Sequence, residues 1–293
     1  MTSAETRSLT SLVNSVDTLE GAGFRVRRPF PTTRLDHLGP FLLLDEMGPS
    51  DNGPGEAKGA PDHPHRGFET VTYMIEGEIE HKDSVGNKGL IRPGDVQWMT
   101  AGAGIVHSEM PSSKILAEGG RIHGFQLWVN LPASAKMRRP RYQDLTFDDF
   151  PVVDLDSGRA VVISGSAFGA AGPADTHIPI TYVHLSLQAG GKTSFPLERT
   201  VVAFMYAFRG RGTVGVPEVP IAAGDAAIFD LGSGAVTVRA GEPGLDLMIG
   251  TGPVLDDPVV RYGPFVMNTR AEIAQAIHDF QSGQMGSIEP ERL

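Results

Sequence analysis

The stretch DHPHRGFETVTYMIEGEIEH, residues 62–81, contains three of the nine histidines of this 293-residue chain. His63 and His65 are two positions apart, where a glycine-rich segment gives way to β-branched and aromatic residues. Because alternate residues of a β-strand point to the same side, this spacing predicts two imidazoles on one face of a strand. The stretch therefore predicts a strand and a pair of candidate metal ligands.

A second stretch, RPGDVQWMTAGAGIVHSEM, residues 92–110, repeats the spacing with His107 and Glu109. If the two strands are neighbours inside a small barrel, three imidazole nitrogens and one carboxylate converge on one point. Such a set leaves open positions on an octahedral ion. The alternative is that these are separate polar residues at strand ends, but two pairs at matching spacing favour a metal site. With no cysteine in the chain, the donors suit iron, manganese, nickel, copper, cobalt or zinc.

Short apolar runs recur along the whole chain, separated by 36 glycines and 22 prolines. Runs such as FETVTYMIEG, ITYVHLSLQ and AVTVRA are rich in β-branched and aromatic residues and are bounded by turn formers. This pattern predicts many short strands in a sandwich or barrel. Segment 46–62 is polar and rich in glycine and proline, and it is interpreted either as a mobile lid or as a long surface loop.

One helix is predicted near the end of the sequence, at about 269–283. Thr269 and Glu272 have the spacing of a capping box. Ile273, Ile277 and Phe280 form an apolar stripe, and the following glycine is a stop signal.

The chain also resembles itself. The stretch from His63 aligns with FPLERTVVAFMYAFRG, residues 195–210, and the stretch from Arg92 aligns with AAGDAAIFDLGSGAVTVRA, residues 222–240. Self-similarity at this scale predicts two copies of one β-barrel domain. In the second copy the positions of the four candidate ligands are expected at Phe195, Leu197, Thr237 and Arg239. These side chains cannot hold a divalent cation, so the second copy is expected to lack a metal.

Bulk composition limits the function classes. Lysine and arginine total 25 against 35 aspartates and glutamates, which gives a net charge of −10 and argues against direct nucleic-acid binding. No apolar run reaches the length of a membrane span, and the first residues lack a secretory signal. A cytoplasmic protein without membrane contact is the expectation.

The segments HPHRGFETVTYMIEGEIEHKDS, RPGDVQWMTAGAGIVHSEMP and FQLWVNLP resemble the signature segments of the pirin family, a branch of the cupin superfamily. The resemblance implies an all-β fold of two tandem cupin barrels, of the double-stranded β-helix or jelly-roll type, with a C-terminal helix. It implies a metal-binding domain at 1–138 and a metal-free cupin domain at 139–293, with the helix packed back against the first domain. One ion, for which iron(II) is favoured, is then expected on His63, His65, His107 and Glu109.

The resemblance also implies a function. Pirin-like bacterial proteins are similar to quercetin 2,3-dioxygenases, which open a flavonol with O2, and Glu109 is then the expected catalytic base. The alternative is an iron-dependent, redox-sensing regulator that binds a protein partner, and a dioxygenase with an unrelated substrate is a third interpretation. The family further favours a monomer.

Other candidates have weaker signals. His81 is interpreted as a residue at the end of a strand or hairpin, with entry into the site as the alternative, and Glu69 as an alternative ligand or a supporting or surface residue. His37 and His123 are expected to have structural roles. GRGTVG, residues 210–215, is interpreted as a turn between strands because no helix follows it. KMRRPR, residues 136–141, is interpreted as a solvated linker in preference to a phosphate-binding patch.

Overall fold

A computed structural model describes residues 6–289, and β-strands make up most of these residues. Twelve strands lie in the first half of the chain: β1 (Ser11–Asn14), β2 (Val16–Glu20), β3 (Phe24–Phe30), β4 (Phe41–Asn52), β5 (Ala60–His65), β6 (Phe68–Glu76), β7 (Ile79–Asp83), β8 (Lys88–Ile91), β9 (Val96–Thr100), β10 (Ile105–Pro111), β11 (Gly120–Asn130) and β12 (Arg141–Leu145).

The second half contains twelve further strands: β13 (Val152–Leu155), β14 (Gly158–Ser164), β15 (Ser166–Ala167), β16 (Ala170–Ala171), β17 (Thr181–Gln188), β18 (Lys192–Leu197), β19 (Val201–Val214), β20 (Val219–Ala222), β21 (Asp225–Phe229), β22 (Gly234–Pro253), β23 (Val260–Tyr262) and β24 (Phe265–Met267). The described residues include two α-helices, α1 (Ser113–Glu118) and α2 (Arg270–Gln281), and two short 3-10 helices, Ala133–Ala135 and Phe147–Asp149. The prediction of an all-β fold with a C-terminal helix is confirmed.

The described residues form two compact units, and the chain passes between them several times. The histidine unit consists of residues 17–28, 41–147 and 255–289, and it contains all four candidate ligands. The apolar unit consists of residues 6–16, 29–40 and 148–254. The predicted domain division at residue 138 stays a prediction. The long segment of the histidine unit ends at residue 147, and that of the apolar unit begins at residue 148.

The histidine unit has two main antiparallel sheets. The larger sheet has the strand order β12-β9-β6-β11-β4-β3-β2, and the smaller has the order β5-β10-β7-β8. The smaller sheet carries His63 and His65 on β5 and His107 and Glu109 on β10. Helix α2 belongs to the same unit.

The apolar unit repeats this strand order. Its sheet follows the path β1-β21-β19-β22-β17-β14-β13, with β18 paired to β22 and β20 paired to β19. The turn before β21 also matches the turn before β9. Gly94 (φ +90°) and Gly224 (φ +98°) both have the left-handed conformation that glycine adopts without steric cost. Each following aspartate accepts a hydrogen bond from a backbone N–H three residues earlier, at 3.0 Å for Asp95 and 2.9 Å for Asp225.

The predicted alignment of the second copy is wrong by one residue at one strand. Phe195 pairs with Val236 in the apolar unit, as His63 pairs with His107 in the histidine unit. The counterparts of His107 and Glu109 are therefore Val236 and Val238, both 0% exposed, because a shift of one residue in a strand exchanges its faces. Together with Phe195 and Leu197 they are part of one hydrophobic core.

Several local predictions also need correction. Segment 46–62 is mostly strand, since β4 continues to Asn52 and β5 begins at Ala60. GRGTVG lies almost wholly within β19 rather than in a turn. In KMRRPR, Lys136 is 1% exposed and is not solvated.

Helix α2 begins as predicted. Thr269 Oγ1 accepts a hydrogen bond from the Glu272 N–H, and Glu272 Oε2 accepts one from the Thr269 N–H, which completes the capping box. Its buried residues are Ile273, Ala276 and Asp279, whereas the predicted stripe residue Phe280 is exposed. No helix of residues 6–289 is both long and apolar enough to cross a lipid bilayer.

A candidate metal centre on two neighbouring strands

Strands β5 and β10 bring the predicted histidines together. They pair antiparallel, with His63 directly opposite His107 and His65 opposite Ile105. Because residues opposite each other in an antiparallel pair project from the same face, the imidazoles of both strands point the same way. The two stretches of sequence, forty residues apart, thus meet as predicted from their spacing.

The three imidazoles form a compact group. One ring nitrogen from each of His63, His65 and His107 lies within 4.8 Å of the other two. The Nε2 atoms of His63 and His65 are 3.1 Å apart. His65 and His107 are 2% and 1% exposed, and burial lowers the pKa of each well below the usual histidine value. Both are therefore neutral imidazoles, the form that binds metal ions.

Backbone carbonyls fix the tautomers of two of these rings. His63 Nδ1 lies 2.7 Å from the Pro61 carbonyl oxygen, and His65 Nδ1 lies 3.4 Å from that of Pro264. A carbonyl oxygen only accepts hydrogen bonds, so Nδ1 of each ring is the donor in these contacts and Nε2 is the atom directed at the other ring. His65, neutral through burial, therefore has its lone pair on Nε2, where a metal ion would bind.

His107 supports the same conclusion. Neither of its ring nitrogens has a hydrogen-bond partner among the described residues. A buried polar atom without a partner costs free energy, about 1–3 kcal/mol in protein mutational data. The residues present thus fit a metal ion through three converging imidazole nitrogens.

Glu109 is near this group but is not part of it. Its carboxylate oxygens each accept one hydrogen bond, Oε1 from Thr72 Oγ1 and Oε2 from Gln126 Nε2, both at 2.7 Å. Gln126 Oε1 in turn accepts a bond of 3.2 Å from the Trp128 indole N–H. Two neutral donors therefore hold the carboxylate beside the histidines.

A bulge separates His107 from Glu109. His107 pairs with His63, but Glu109 pairs with Ala60, so the register of β5 and β10 shifts between them. Such bulges redirect side chains next to active sites. Gly59 accommodates the close approach, because a Cβ atom there would lie 2.4 Å from the Glu109 carbonyl oxygen.

Two aromatic rings lie beside the histidines. Trp128 packs edge-on against His65 with ring centroids 5.1 Å apart, and Phe68 lies 4.3 Å from Trp128 and 5.0 Å from His65. Trp128 is only partly buried and can face a planar aromatic ligand, whereas Phe68 is 0% exposed and packs behind it.

The remaining candidates have other surroundings. His81 is 1% exposed and packs against His107, with ring centroids 5.3 Å apart, but it is outside the group of converging donors. Burial lowers its pKa. Glu69 accepts a hydrogen bond from Thr100, and His123 and His37 lie 2.8 Å from carboxylate oxygens of Glu46 and Asp36.

Three residues around Glu109 were not predicted from the sequence. Thr72 and Gln126 donate hydrogen bonds to its carboxylate, and Trp128 donates one to Gln126. A signal was present in FQLWVNLP. Gln126 and Trp128 alternate with Phe125, Leu127 and Val129, which are all 0% exposed. A strand with one wholly apolar face and one polar, aromatic face is typical of the wall of a binding site.

The pirin family matches residues 23–129, and the pirin C-terminal cupin domain matches residues 182–286. A pirin-like protein of Solanum lycopersicum is 42% identical over 91% of this chain and 89% of its own length. Pirin of Homo sapiens is 41% identical over 96% of this chain and 94% of its own length.

Among solved structures, a quercetin 2,3-dioxygenase of Acinetobacter baumannii superposes with a TM-score of 0.91. It is 37% identical and the match covers 97% of this chain and 100% of that one. These comparisons confirm the architecture of two cupin domains.

Proposed function

The chain belongs to the pirin family, and from this premise we propose that it is a metal-dependent dioxygenase that opens the heterocycle of a flavonol with O2. The similarity to a quercetin 2,3-dioxygenase structure supports the substrate class. The three converging imidazoles support the metal dependence.

One divalent ion is proposed on His63, His65, His107 and Glu109. The histidines offer three converging imidazole nitrogens, and Glu109 supplies a carboxylate from the same face of β10. Iron(II) is the ion favoured by the family resemblance, and all the donors are also acceptable to the other first-row divalent metals. A bound ion would polarise the substrate oxygen and stabilise negative charge on it.

The residues of the chain supply binding and proton transfer. The partly exposed ring of Trp128, which packs on Phe68, suits the planar rings of a flavonol. The carboxylate of Glu109 accepts the proton of the 3-hydroxyl group, and the N–H and O–H donors of Gln126 and Thr72 keep it oriented. Burial of His65 and His107 limits water at the reacting group, which strengthens electrostatic interactions there.

The observation that carries the proposal is the pair of Nε2 atoms of His63 and His65, 3.1 Å apart, with both Nδ1 atoms next to carbonyl oxygens. Two Nε2 atoms that converge while both Nδ1 atoms are turned to carbonyl oxygens have the arrangement of histidine ligands around a metal ion.

The test is aerobic turnover of quercetin by protein loaded with iron(II), followed as loss of the visible flavonol band. Glu109→Gln should slow turnover by about 10²–10⁴-fold, because a positioned general base contributes that factor. Glu242→Gln, at an exposed position in the apolar unit, is the matched control and should keep full activity. Equal turnover in Glu109→Gln and the wild type would disprove the role of Glu109.

A second function, an iron-responsive regulator, is supported by the contacts of helix α2. Arg66, next to His65, donates a hydrogen bond of 2.8 Å to Asp279 on α2, and Val106, next to His107, shares a hydrophobic cluster with Ile273. The strands that carry the ligands therefore contact a surface helix directly. Unchanged quercetin absorbance, combined with partner binding that depends on the oxidation state of iron, would favour this function over the dioxygenase.

A further inference from the structure

His81 is a buried polar residue that the proposed reaction does not yet use. It is 1% exposed, and neither of its ring nitrogens has a hydrogen-bond partner among residues 6–289. A neutral imidazole has one N–H donor and one acceptor nitrogen, so two hydrogen-bonding positions are unsatisfied. Buried polar groups of native proteins nearly always have partners, so a histidine without one needs an explanation.

The strand register directs His81 toward the candidate metal centre. On β7 it lies directly opposite Glu109 of β10, and Asp83 lies directly opposite His107. Opposite residues of an antiparallel pair share a face, so the side chain of His81 projects from the same face as the proposed ligands. Its ring packs against His107, with centroids 5.3 Å apart.

Neighbouring side chains fix the ring but do not satisfy its nitrogens. The ring of Tyr142 packs on His81 with centroids 4.8 Å apart and planes inclined by 56°. The carboxylate of Glu109 is engaged by Thr72 and Gln126, and Asp83 accepts from the side chain of Asn87. His81 is thus held by ring packing, and both of its ring nitrogens are buried without a hydrogen-bond partner among residues 6–289.

The chemistry of the site selects an oxygen of that ligand. The three converging nitrogens of His63, His65 and His107 suit a cation, and a ligand that binds such a cation through one oxygen brings further oxygens beside His107. An imidazole N–H donates to a hydroxyl, carbonyl or enolate oxygen, and a neutral ring nitrogen accepts from a hydroxyl. A polyoxygenated planar ring meets both requirements.

We propose that His81 contacts the substrate and hydrogen-bonds an oxygen of the chelating ligand bound at the three-histidine centre. This inference deepens the proposed function and rests on it for the identity of the substrate. The existence of the His81 contact does not depend on the proposed function, because any planar oxygen chelator would occupy the same position.

The experiment compares wild type, His81→Phe and His81→Gln as iron(II)-loaded proteins under nitrogen, where no turnover occurs. Calorimetry gives the Kd of quercetin and, separately, of maltol, a small hydroxypyranone chelator, and elemental analysis gives the iron content. His81→Phe keeps an aromatic ring next to Tyr142 but removes both nitrogens, whereas His81→Gln keeps a donor and an acceptor. His37→Phe, at an exposed histidine in the apolar unit, is the control for loss of an imidazole elsewhere.

We expect full iron content in all variants, and an increase in both Kd values of about tenfold in His81→Phe, as for loss of one hydrogen bond to a buried partner. His81→Gln should recover part of this loss, and His37→Phe should match the wild type. Unchanged Kd values in His81→Phe would overturn the inference. Loss of iron from both His81 variants would also overturn it, because His81 would then serve the metal or the fold.

The two proposals fail in distinguishable ways. If quercetin does not bind the wild type but maltol binds with the expected dependence on His81, the flavonol assignment is wrong and the contact stands. If quercetin binds and is turned over equally well without the His81 nitrogens, the contact is wrong and the dioxygenase stands. If neither chelator binds the iron-loaded wild type, both are wrong.

Discussion

Lys136 is a single residue whose charge is buried with complete hydrogen bonding. Its Nζ donates to the backbone oxygens of Gly67 and Val266 and to Asn130 Oδ1, at 2.8, 2.9 and 2.7 Å. Three acceptor oxygens around Nζ match the three N–H donors of a protonated lysine, which indicates an ammonium group. Burial nevertheless lowers the pKa of Lys136 from 10.5 to about 8, so the charge is held at a cost in free energy at neutral pH.

The stability contribution of Lys136 should change with pH. Below pH 8 both the folded and the unfolded chain bind the proton, and the cost of burying the charge is fully present. Between pH 8 and 10.5 the unfolded chain still binds the proton and the folded chain does not, so the free energy of unfolding rises with pH. We expect the wild type to gain up to about 3 kcal/mol over Lys136→Met in this window.

Urea titrations of both proteins at several pH values measure this difference, and other titrating groups cancel in the comparison. A constant difference between the two proteins from pH 7 to 10.5 would contradict the assignment.

Sequence spacing predicted some site residues and could not predict others. His63, His65 and His107 converge because alternation along a strand is a local property that the sequence contains. The carbonyl oxygen of Pro264 that fixes His65 is about 200 residues away along the chain, and no pattern in the sequence connects the two. The partners of Glu109 were missed for the same reason, since Thr72 and Gln126 are not titratable and lie on other strands.

Helix α2 is the element that supports the strands carrying the proposed ligands. Arg66 donates to Asp279 on α2 and to the Ala103 carbonyl oxygen, and both side chains of the ion pair are almost fully buried. The hydrogen bond from Arg66 lowers the pKa of Asp279. Removing one partner of a buried ion pair destabilises the folded state, because the remaining charge is left without a partner.

Asp279→Asn should therefore loosen α2 without unfolding the apolar unit. We expect faster hydrogen exchange of the α2 amides, and weaker retention of metal on dialysis because the strand of His65 loses its anchor. Gln275→Ala is the control, since it removes the other hydrogen bond to Asp279 but leaves Arg66 paired. Equal exchange of the α2 amides in Asp279→Asn and the control would show that the ion pair does not hold the helix.

Elements were predicted best where local signals were strong. The capping box of α2 and the short strands around glycine and proline follow from local chemistry. Helix α1 was missed because six residues carry too little periodicity to distinguish a helix from a turn. The end of strand β4 was interpreted as part of a lid or loop because MGPSDN has the composition of a loop, although its backbone pairs with β11 as far as Asn52.

For the whole molecule, metal binding and folding of the histidine unit should be linked. An ion that binds only the folded chain stabilises it by about 2.7 kcal/mol at a free concentration 100 times its Kd. We expect iron(II) under nitrogen to raise the Tm of the wild type by several degrees, and His107→Ala to lose this shift. His37→Ala, far from the donor group in sequence and exposed, should keep it. An equal shift in His107→Ala would place the ion elsewhere.

The duplication was visible in the sequence, but its detailed alignment was not. The GD turns before β9 and β21 are strong local markers, and they align correctly. Beyond these turns the two copies differ in length by one residue. The prediction therefore assigned Thr237 and Arg239, instead of Val236 and Val238, to the positions equivalent to His107 and Glu109. The face on which Val236 and Val238 lie is fixed only by the pairing of β22 with β18, and pairing is not a local property of the sequence.

The repeated passage of the chain between its two units has a consequence for biosynthesis. A ribosome that has released only the first 147 residues has supplied His63, His65 and His107, but not the Pro264 carbonyl or the Asp279 that support them. Residues 255–289 are translated after the whole apolar unit. The supported arrangement of the three imidazoles therefore forms only after residue 279 has been translated, and not while the first 147 residues alone are available.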